Sequence, residues 1–276
     1  MSQVETRART LAFLGSEIAV LFRRRRTWAM LAALALVPVL IAIAVKLRPG
    51  AGRGPAFLAA ISENGLFVAF TALTVSVPIF LPLTIGVVAG DTIAGEASLG
   101  TLRYLLVAPA SRVRVLLVKY AGAAVFAVAA PLTVMITGLA VGAALFPIRP
   151  VTLLSGDTID AGGLAVRAAL LVAYVALSLL GLSAIGLFLS TLTTVPVGAM
   201  AATIVLAAAS QILDSLPQLD WLHPWLFSHY WFGFGDFLRD PIVWDSFQDN
   251  ALLQLGYVAL FGAAAYGRFA TKDILS

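Results

Sequence analysis

One serine is the first side chain in this sequence that could do chemistry. Ser183 lies in the run Gly181-Leu-Ser-Ala, within an apolar stretch that could hold a nucleophile inside a membrane. A serine nucleophile needs a base within hydrogen-bond reach. The two histidines of the chain, His223 and His229, fall instead in a segment that we predict to lie outside the membrane. An intramembrane hydrolase is therefore the weakest functional alternative, and we expect Ser183 to pack between helices.

The same two histidines could ligate a metal, since His223 and His229 are six residues apart. The sequence specifies no third ligand for them. The chain also has no cysteine, which excludes a thiolate zinc site, a disulfide and a cysteine nucleophile. We therefore expect no metal site and interpret both histidines as polar tips in an interfacial aromatic loop.

Asp91 and Glu96 are the only carboxylates between Glu63 and Asp157. Five residues apart on a helix, they would not share a face, because neighbours on one face are three or four residues apart. They border apolar runs on both sides, where a carboxylate at the membrane rim remains solvated. The spacing favours a structural or docking role over a paired-carboxylate site.

The chain lacks the sequence features by which a protein binds ATP or couples to protons. No lysine follows a glycine, so the phosphate-cradling Gly-x-x-x-x-Gly-Lys-Ser/Thr loop is absent. The central parts of the apolar runs contain no Asp, Glu, Lys, Arg or His. Proton-coupled carriers keep such residues at membrane depth because they are costly there and survive only for use. We predict that the chain is not an enzyme, holds no cofactor, and draws any transport energy from another protein.

The composition identifies the elements that carry these residues as membrane helices. Hydrophobic residues make up 61% of the chain and charged residues 12%, with a mean hydropathy of +0.98. A water-soluble domain could not bury that much apolar surface. The pI is near 9.7, but the basic residues lie beside apolar runs, so they indicate membrane topology rather than nucleic-acid binding.

The apolar pattern predicts an all-α polytopic membrane protein in one domain, 1–276. Each span is judged against the roughly 20 apolar residues that cross the hydrocarbon core. An amphipathic helix over 1–26 precedes them and suits the membrane interface. The aromatic-rich stretch 214–250 is predicted to form re-entrant or interfacial helices. The six predicted spans are 28–45, 66–89, 115–145, 164–189, 195–213 and 251–267.

The distribution of basic residues sets the predicted orientation. With the N-terminus inside, 12 of the 18 Lys and Arg residues fall on the inner side and 6 on the outer side. Cytoplasmic loops carry the excess of Lys and Arg in membrane proteins. Both termini are therefore expected in the cytoplasm.

One connection, residues 90–112, has more structure than a link between two spans requires; we call it the elbow. The sequence predicts a short helix over 98–107, ended by Pro109, and a new helix that starts at Ser111 as N-cap. A ten-residue helix is too short to be stable alone in water. Its four leucines, 99, 102, 105 and 106, therefore indicate contact with a partner or with the membrane surface, and we interpret the elbow as a docking surface for a partner.

The elbow closely resembles the signature of the ABC-2-type membrane subunits of ATP-binding-cassette exporters. The matching run is Glu96-Ala-Ser-Leu-Gly-Thr-Leu-Arg-Tyr-Leu-Leu-Val-Ala-Pro-Ala-Ser-Arg112, followed by Lys119. The resemblance implies a cytoplasmic coupling helix that fits a cleft of the ATPase. Its expected docking residues are Asp91, Glu96, Ser98, Leu99, Gly100, Thr101, Leu102, Arg103, Leu105 and Leu106.

The same resemblance implies a permease in a bacterial plasma membrane, paired with a second copy or similar permease and with two ATPase subunits that hold ATP and Mg. It implies that ATP-driven closure alternates the halves between inward-open and outward-open states. A hydrophobic or amphipathic substrate, drug-like or lipid-like, would pass between the second and fifth spans. The faces expected to line that path carry Phe67, Phe70, Thr71, Thr74, Phe80, Met200, Thr203, Ile204, Ala207 and Gln211.

Other functions remain open at this point. Within transport, the chain could belong to a lipid or polysaccharide exporter or to a permease for metalloenzyme maturation. From another class, it could be a non-transporting membrane anchor or sensor that uses an ATPase for signalling.

Overall fold

The computed structural model describes residues 3–47, 61, 64–101, 112–152 and 158–271, and most of them are helical. One short antiparallel ladder joins β1, Val151–Thr152, to β2, Thr158–Ile159. Three 3₁₀ helices lie within residues 215–244, at Pro217–Leu219, His223–Trp225 and His229–Leu238. The α-helices are α1 Gln3–Arg23, α2 Arg25–Lys46, α3 Phe67–Ser76, α4 Phe80–Ser98, α5 Arg112–Leu145, α6 Ala161–Ser178, α7 Leu180–Leu192, α8 Pro196–Asp214 and α9 Asp245–Ala270.

Residue chemistry explains several of these helix ends. The Asp160 carboxylate accepts a hydrogen bond from the Gly163 amide at 2.8 Å, which makes Asp160 the N-cap of α6. Pro196 opens α8 at the first helical position, where its missing N–H would have had no partner anyway. Helix α5 begins at Arg112, directly after the predicted N-cap Ser111, which lies outside the described residues.

Five helical stretches of the described chain are long and apolar enough to cross a membrane: Arg25–Lys46, Phe80–Ser98, Arg112–Leu145, Gly162–Leu192 and Pro196–Asp214. Four of them match the first, third, fourth and fifth predicted spans, and Phe80–Ser98 overlaps the second only at residues 80–89. The sixth predicted span, 251–267, is helical inside α9 but is not among these five. The all-helical fold is therefore confirmed, and the count of six spans stays a prediction.

The second predicted span, 66–89, is not one helix. It breaks at residues 77–79 between α3 and α4, where Pro78 lacks the N–H that a helix interior needs. The carbonyl of Pro78 accepts a hydrogen bond from the side-chain amide of Gln211 on α8 at 2.7 Å. The fourth span is interrupted at a single residue, Leu179, between α6 and α7, without a proline at that point.

Glycine pairs bring the spans into close contact. A Cβ at Gly90 would lie 2.7 Å from a backbone nitrogen of α8, and one at Gly138 would lie 2.5 Å from the Cα of Ala69 on α3. Both positions need glycine because no side chain fits there. The pairs Gly86/Gly90 and Gly138/Gly142 thus allow close contact of α4 with α8 and of α5 with α3 and the residues just before it.

The two ends of the helical bundle carry different elements of the chain. We call the inner end the one that carries the elbow and the first turns of α5, and the outer end the one that carries residues 217–244. At the outer end the predicted re-entrant or interfacial helices are 3₁₀ turns packed on α6 and α9. Trp231 is 1% exposed in the core, whereas Trp221 and Trp225 are 72% and 69% exposed.

Arg167 of α6 holds the outer 3₁₀ segment in place. Its guanidinium donates to the carbonyls of Phe237 at 2.5 Å and Arg239 at 2.6 Å, and it lies 3.6 Å from the Asp240 carboxylate. The arginine is 7% exposed. A buried charge is tolerated only with such partners, so Arg167 ties the segment to the helical core.

Candidate functional site

A lysine is buried at the inner end. Lys119 on α5 is 5% exposed, and its ammonium donates to both carboxylate oxygens of Glu17 at 3.0 and 2.9 Å and to Glu96 at 3.0 Å. Glu17 belongs to α1 and Glu96 to α4. Two carboxylates around one ammonium satisfy the buried charge. Lys119 therefore joins three helices that are distant in the sequence.

Asp91 forms a second ionic cluster beside the first. Its carboxylate accepts from Arg24 at 2.7 Å and from Arg26, and it is 9% exposed. The arginines lie at the junction of α1 and α2, so this cluster links that junction to α4. Both clusters line one cavity of about 40 Å³, too small for anything beyond a water molecule or two.

Asp91 and Glu96 use different partners, as their five-residue spacing predicts. Asp91 faces the arginines of the α1–α2 junction, while Glu96 faces Lys119. They do not act as a paired-carboxylate site. We refer to Glu17, Arg24, Arg26, Asp91, Glu96 and Lys119 together as the inner charge network.

Within the elbow, α4 ends at a glycine that follows Glu96 of the inner charge network by four residues. Gly100 has a φ of 68°, which places it in the left-handed region. The amide of Thr101 donates to the Glu96 carbonyl at 3.0 Å and that of Gly100 to the Ala97 carbonyl at 3.1 Å, which is the Schellman pattern. The Thr101 hydroxyl also donates to the Glu96 carboxylate.

This geometry corrects one prediction. The helix expected over 98–107 does not start at Ser98, because Ser98 is the last residue of α4 and Gly100 ends that helix. Leu99 is 73% exposed at the turn. Four predicted docking residues, Leu102, Arg103, Leu105 and Leu106, lie outside the described residues.

The far arm of the elbow is fixed to the last helix. Arg112 donates from one guanidinium nitrogen to the carbonyls of Phe269 at 2.6 Å and Ala270 at 2.7 Å. Those carbonyls end α9, where a cation complements the negative end of the helix dipole. Both arms of the elbow are thus attached to other helices.

Ser190 is a site residue that sequence reasoning missed. It is fully buried on α7, and its hydroxyl oxygen accepts from the amides of Ile93 and Ala94 at 2.9 and 2.8 Å. The same hydroxyl donates to the Gly90 carbonyl at 2.7 Å. It therefore braces the turn of α4 that carries Asp91. A serine in an apolar run gives no sequence signal for this role, since most such serines bond within their own helix.

The predicted substrate-path residues are divided between the interior and the surface of the chain. The second and fifth spans pack on each other, with Gly86 against Ile204 and the Gln211–Pro78 hydrogen bond between them. Phe70, Thr203 and Ala207 are buried, while Phe67, Thr71, Met200, Ile204 and Gln211 are half-buried. Thr74 and Phe80 are exposed.

The residues considered for hydrolysis and for metal binding have other polar partners in the structure. The Ser183 hydroxyl is fully buried and donates to the Leu179 carbonyl at 2.9 Å, which supports the packing interpretation. His229 lies 2.6 Å from the Asp214 carboxylate, and His223 lies 3.1 Å from the Leu216 carbonyl. Within the ranges given above, no cluster of three or more His, Asp or Glu residues could hold a metal ion.

The chain matches the model of a known protein family. A family model described as "ABC-2 family transporter protein" matches residues 14–233, which include α2 to α8, the inner charge network and the elbow. No curated protein matches the chain.

Proposed function

The chain belongs to the ABC-2 family of transporter membrane proteins, and on that premise we propose that it is the permease subunit of an ATP-driven exporter. ATPase subunits that carry ATP and Mg would supply the energy, and a second copy or similar permease would complete the transporter. The substrate would be a hydrophobic or amphipathic molecule. Transport would follow alternating access, with the halves switching between inward-open and outward-open states.

The inner charge network is the observation that supports coupling through the elbow. The elbow leaves α4 at Gly100, one turn after Glu96. Glu96 binds Lys119 on α5, and Lys119 binds Glu17 on α1. A partner that displaces the elbow therefore acts on three helices at once, because buried ion pairs resist separation.

The packing of the second and fifth spans supports a path along their exposed edge. Thr74 and Phe80 are exposed on the second span, and Met200 and Ile204 are half-exposed on the fifth. We propose that these four side chains face the substrate. The buried members of the predicted set, among them Thr203, instead hold the two spans together.

The proposed orientation places both termini and the elbow in the cytoplasm of a bacterial cell. Two exposed positions at opposite ends of this cysteine-free chain test it: Ser98→Cys and Gln218→Cys. An impermeant maleimide should label position 218 from outside intact cells and reach position 98 only after permeabilisation. Labelling of position 98 in intact cells contradicts the orientation and the docking role with it.

The decisive experiment for the proposed function places a carboxylate on the elbow. Leu105→Asp should abolish co-purification with the co-expressed ATPase subunit, because an apolar docking contact would have to desolvate a charge at a cost of several kcal/mol. Leu216→Asp introduces the same change at an exposed position of the outer end and serves as the matched control.

Both variants should insert into membranes normally, and only Leu105→Asp should lose ATP-dependent uptake in vesicles. Unchanged co-purification and uptake in Leu105→Asp would mean that the elbow is only a loop on the membrane surface. Uptake by the purified chain alone, driven by a pH gradient, would refute dependence on an ATPase.

A further inference from the structure

An open groove of about 560 Å³ lies at the outer end, between the 3₁₀ segments and α9. On α9 its floor is a stripe at helical spacing: Asp249, Leu253, Gly256 and Leu260. The facing wall carries Trp225 and Tyr230. A groove of this volume suits a drug-sized molecule.

The aromatic wall is fixed in position. Trp225 is 69% exposed, so its ring is available to a ligand. The Tyr257 hydroxyl donates to the Trp225 carbonyl at 2.8 Å, which attaches the wall to α9. The Tyr257 ring stacks on Phe261 at a centroid distance of 5.9 Å and an interplanar angle of 6°. The groove is therefore largely preformed.

The segment that supplies the aromatic wall of the groove is acidic, although the chain as a whole carries +4. Residues 214–250 contain six aspartates and one arginine. Four of the aspartates have cationic or histidine neighbours: Asp214, Asp220, Asp236 and Asp240. Asp249 lines the groove and has no ion-pair partner in the described part of the chain.

The pKa of the neighbouring Tyr230 reflects both its burial and the negative charge of Asp249. Burial raises the pKa of the Tyr230 hydroxyl, and the negative charge of Asp249 raises that pKa further. The ligand that such a groove favours must therefore bring a positive charge to Asp249. It must also bring apolar surface to the leucines and a face or edge to Trp225. A bare metal ion does not meet these needs, since one carboxylate is too few ligands.

We propose that this groove is a binding site for a lipophilic organic cation, with the positive charge beside Asp249 and the apolar body against Trp225, Leu253 and Leu260. Aromatic faces attract organic cations through the ring quadrupole, and a carboxylate adds charge complementarity. The proposal rests on the proposed function only in naming this class as the substrate; binding itself requires no ATPase.

The test measures equilibrium binding of tetraphenylphosphonium to the purified full chain in nanodiscs of zwitterionic lipid. Tetraphenylborate, which has the same shape and the opposite charge, reports whether binding depends on the sign of the charge. Asp249→Asn removes the charge, and Gly256→Leu fills the groove at a position where an added side chain meets open space. The control variants are Asp245→Asn on the same helix and Gly267→Leu, which also meets open space.

We expect wild type to bind tetraphenylphosphonium at least tenfold more tightly than tetraphenylborate. Asp249→Asn and Gly256→Leu should each weaken cation binding about tenfold, the scale of one desolvated cation–π or charge contact. Trp225→Leu should weaken it about threefold to tenfold. The control variants should stay within twofold of wild type.

Equal affinity for the two probes, or cation binding that is unchanged in both Asp249→Asn and Gly256→Leu, would overturn the proposal. Either result would indicate a groove filled by acyl chains of lipid. Because the assay contains no ATPase, its outcome is separate from the co-purification test of the proposed function.

Discussion

Removing the Lys119 ammonium should destabilise the inner end by a predictable amount. At about 3 Å and an effective dielectric constant of about 20, each Lys–carboxylate pair contributes roughly 5 kcal/mol of gross attraction. Desolvation of the buried lysine offsets much of that gain. Breaking a buried pair by deleting one partner costs about 3–5 kcal/mol, because the remaining charges stay buried.

The exposure of the two carboxylates places Lys119→Met at the lower end of that range. The Glu17 and Glu96 side chains are 19% and 18% exposed, so both can be partly rehydrated. We therefore expect a loss of about 3 kcal/mol, which lowers Tm by roughly 6–12 °C for a chain of this size. Thermal unfolding of the purified chain in detergent, followed by tryptophan fluorescence, measures the shift.

A matched substitution and a rescue make this prediction specific. Lys46→Met removes an exposed lysine that donates to the Leu145 carbonyl at 2.9 Å, and it should change Tm little. Adding Glu17→Gln and Glu96→Gln to Lys119→Met should recover much of the lost stability, since no unpaired charge remains. A shift below about 2 °C in Lys119→Met, equivalent to less than about 1 kcal/mol, would refute the buried network.

The same unfolding assay tests three further predictions. Gly100→Ala should lower stability by about 1–2 kcal/mol because Gly100 has positive φ, whereas Gly122→Ala, in a helix with open space, should raise it by about 0.5–1 kcal/mol; equal signs would contradict the helix end. Gly90→Ala should cost about 1–3 kcal/mol by overpacking against α8, while Gly198→Ala, which meets nothing within 4 Å, should not. Arg167→Met should cost about 1.5–3 kcal/mol and expose the outer 3₁₀ segment to proteolysis; resistance equal to wild type would show that the arginine does not hold it.

The spans could be predicted from the sequence because hydropathy alone reports them. Four of the predicted spans match apolar helical stretches closely, and the second overlaps one only at residues 80–89. Breaks within a span are harder to predict, because an apolar run has the same hydropathy whether or not its helix is continuous. Pro78 was a signal for the break at 77–79, but nothing in the composition around Leu179 indicates the second break.

The inner charge network could be predicted only in part. The spacing of Asp91 and Glu96 correctly separated their faces, and the resemblance of the elbow drew attention to Lys119. Their partners could not be predicted, because Glu17 lies 102 residues from Lys119 and Arg24 lies 67 residues from Asp91. Such pairings depend on how the helices pack, which a single sequence does not specify.

The helix end at Gly100 shows a different limit. Gly-Thr after a helical run is also compatible with a continuing helix, and the four leucines favoured one over 98–107. The left-handed φ of Gly100 and the Schellman hydrogen bonds show that α4 ends here, so no helix begins at Ser98. For this helix end the glycine was the informative residue.

Because the second span is broken, α4 is a separate helix that could tilt as a rigid rod. Helix α4 has 19 residues and is therefore about 28 Å long, and it runs from the elbow at Gly100 to the interruption at 77–79. A 10° tilt of such a rod moves its far end by about 5 Å. Because the helix is interrupted at 77–79, such a tilt would not have to move α3 as part of the same rod. The Gln211–Pro78 hydrogen bond would instead couple that end of α4 to α8.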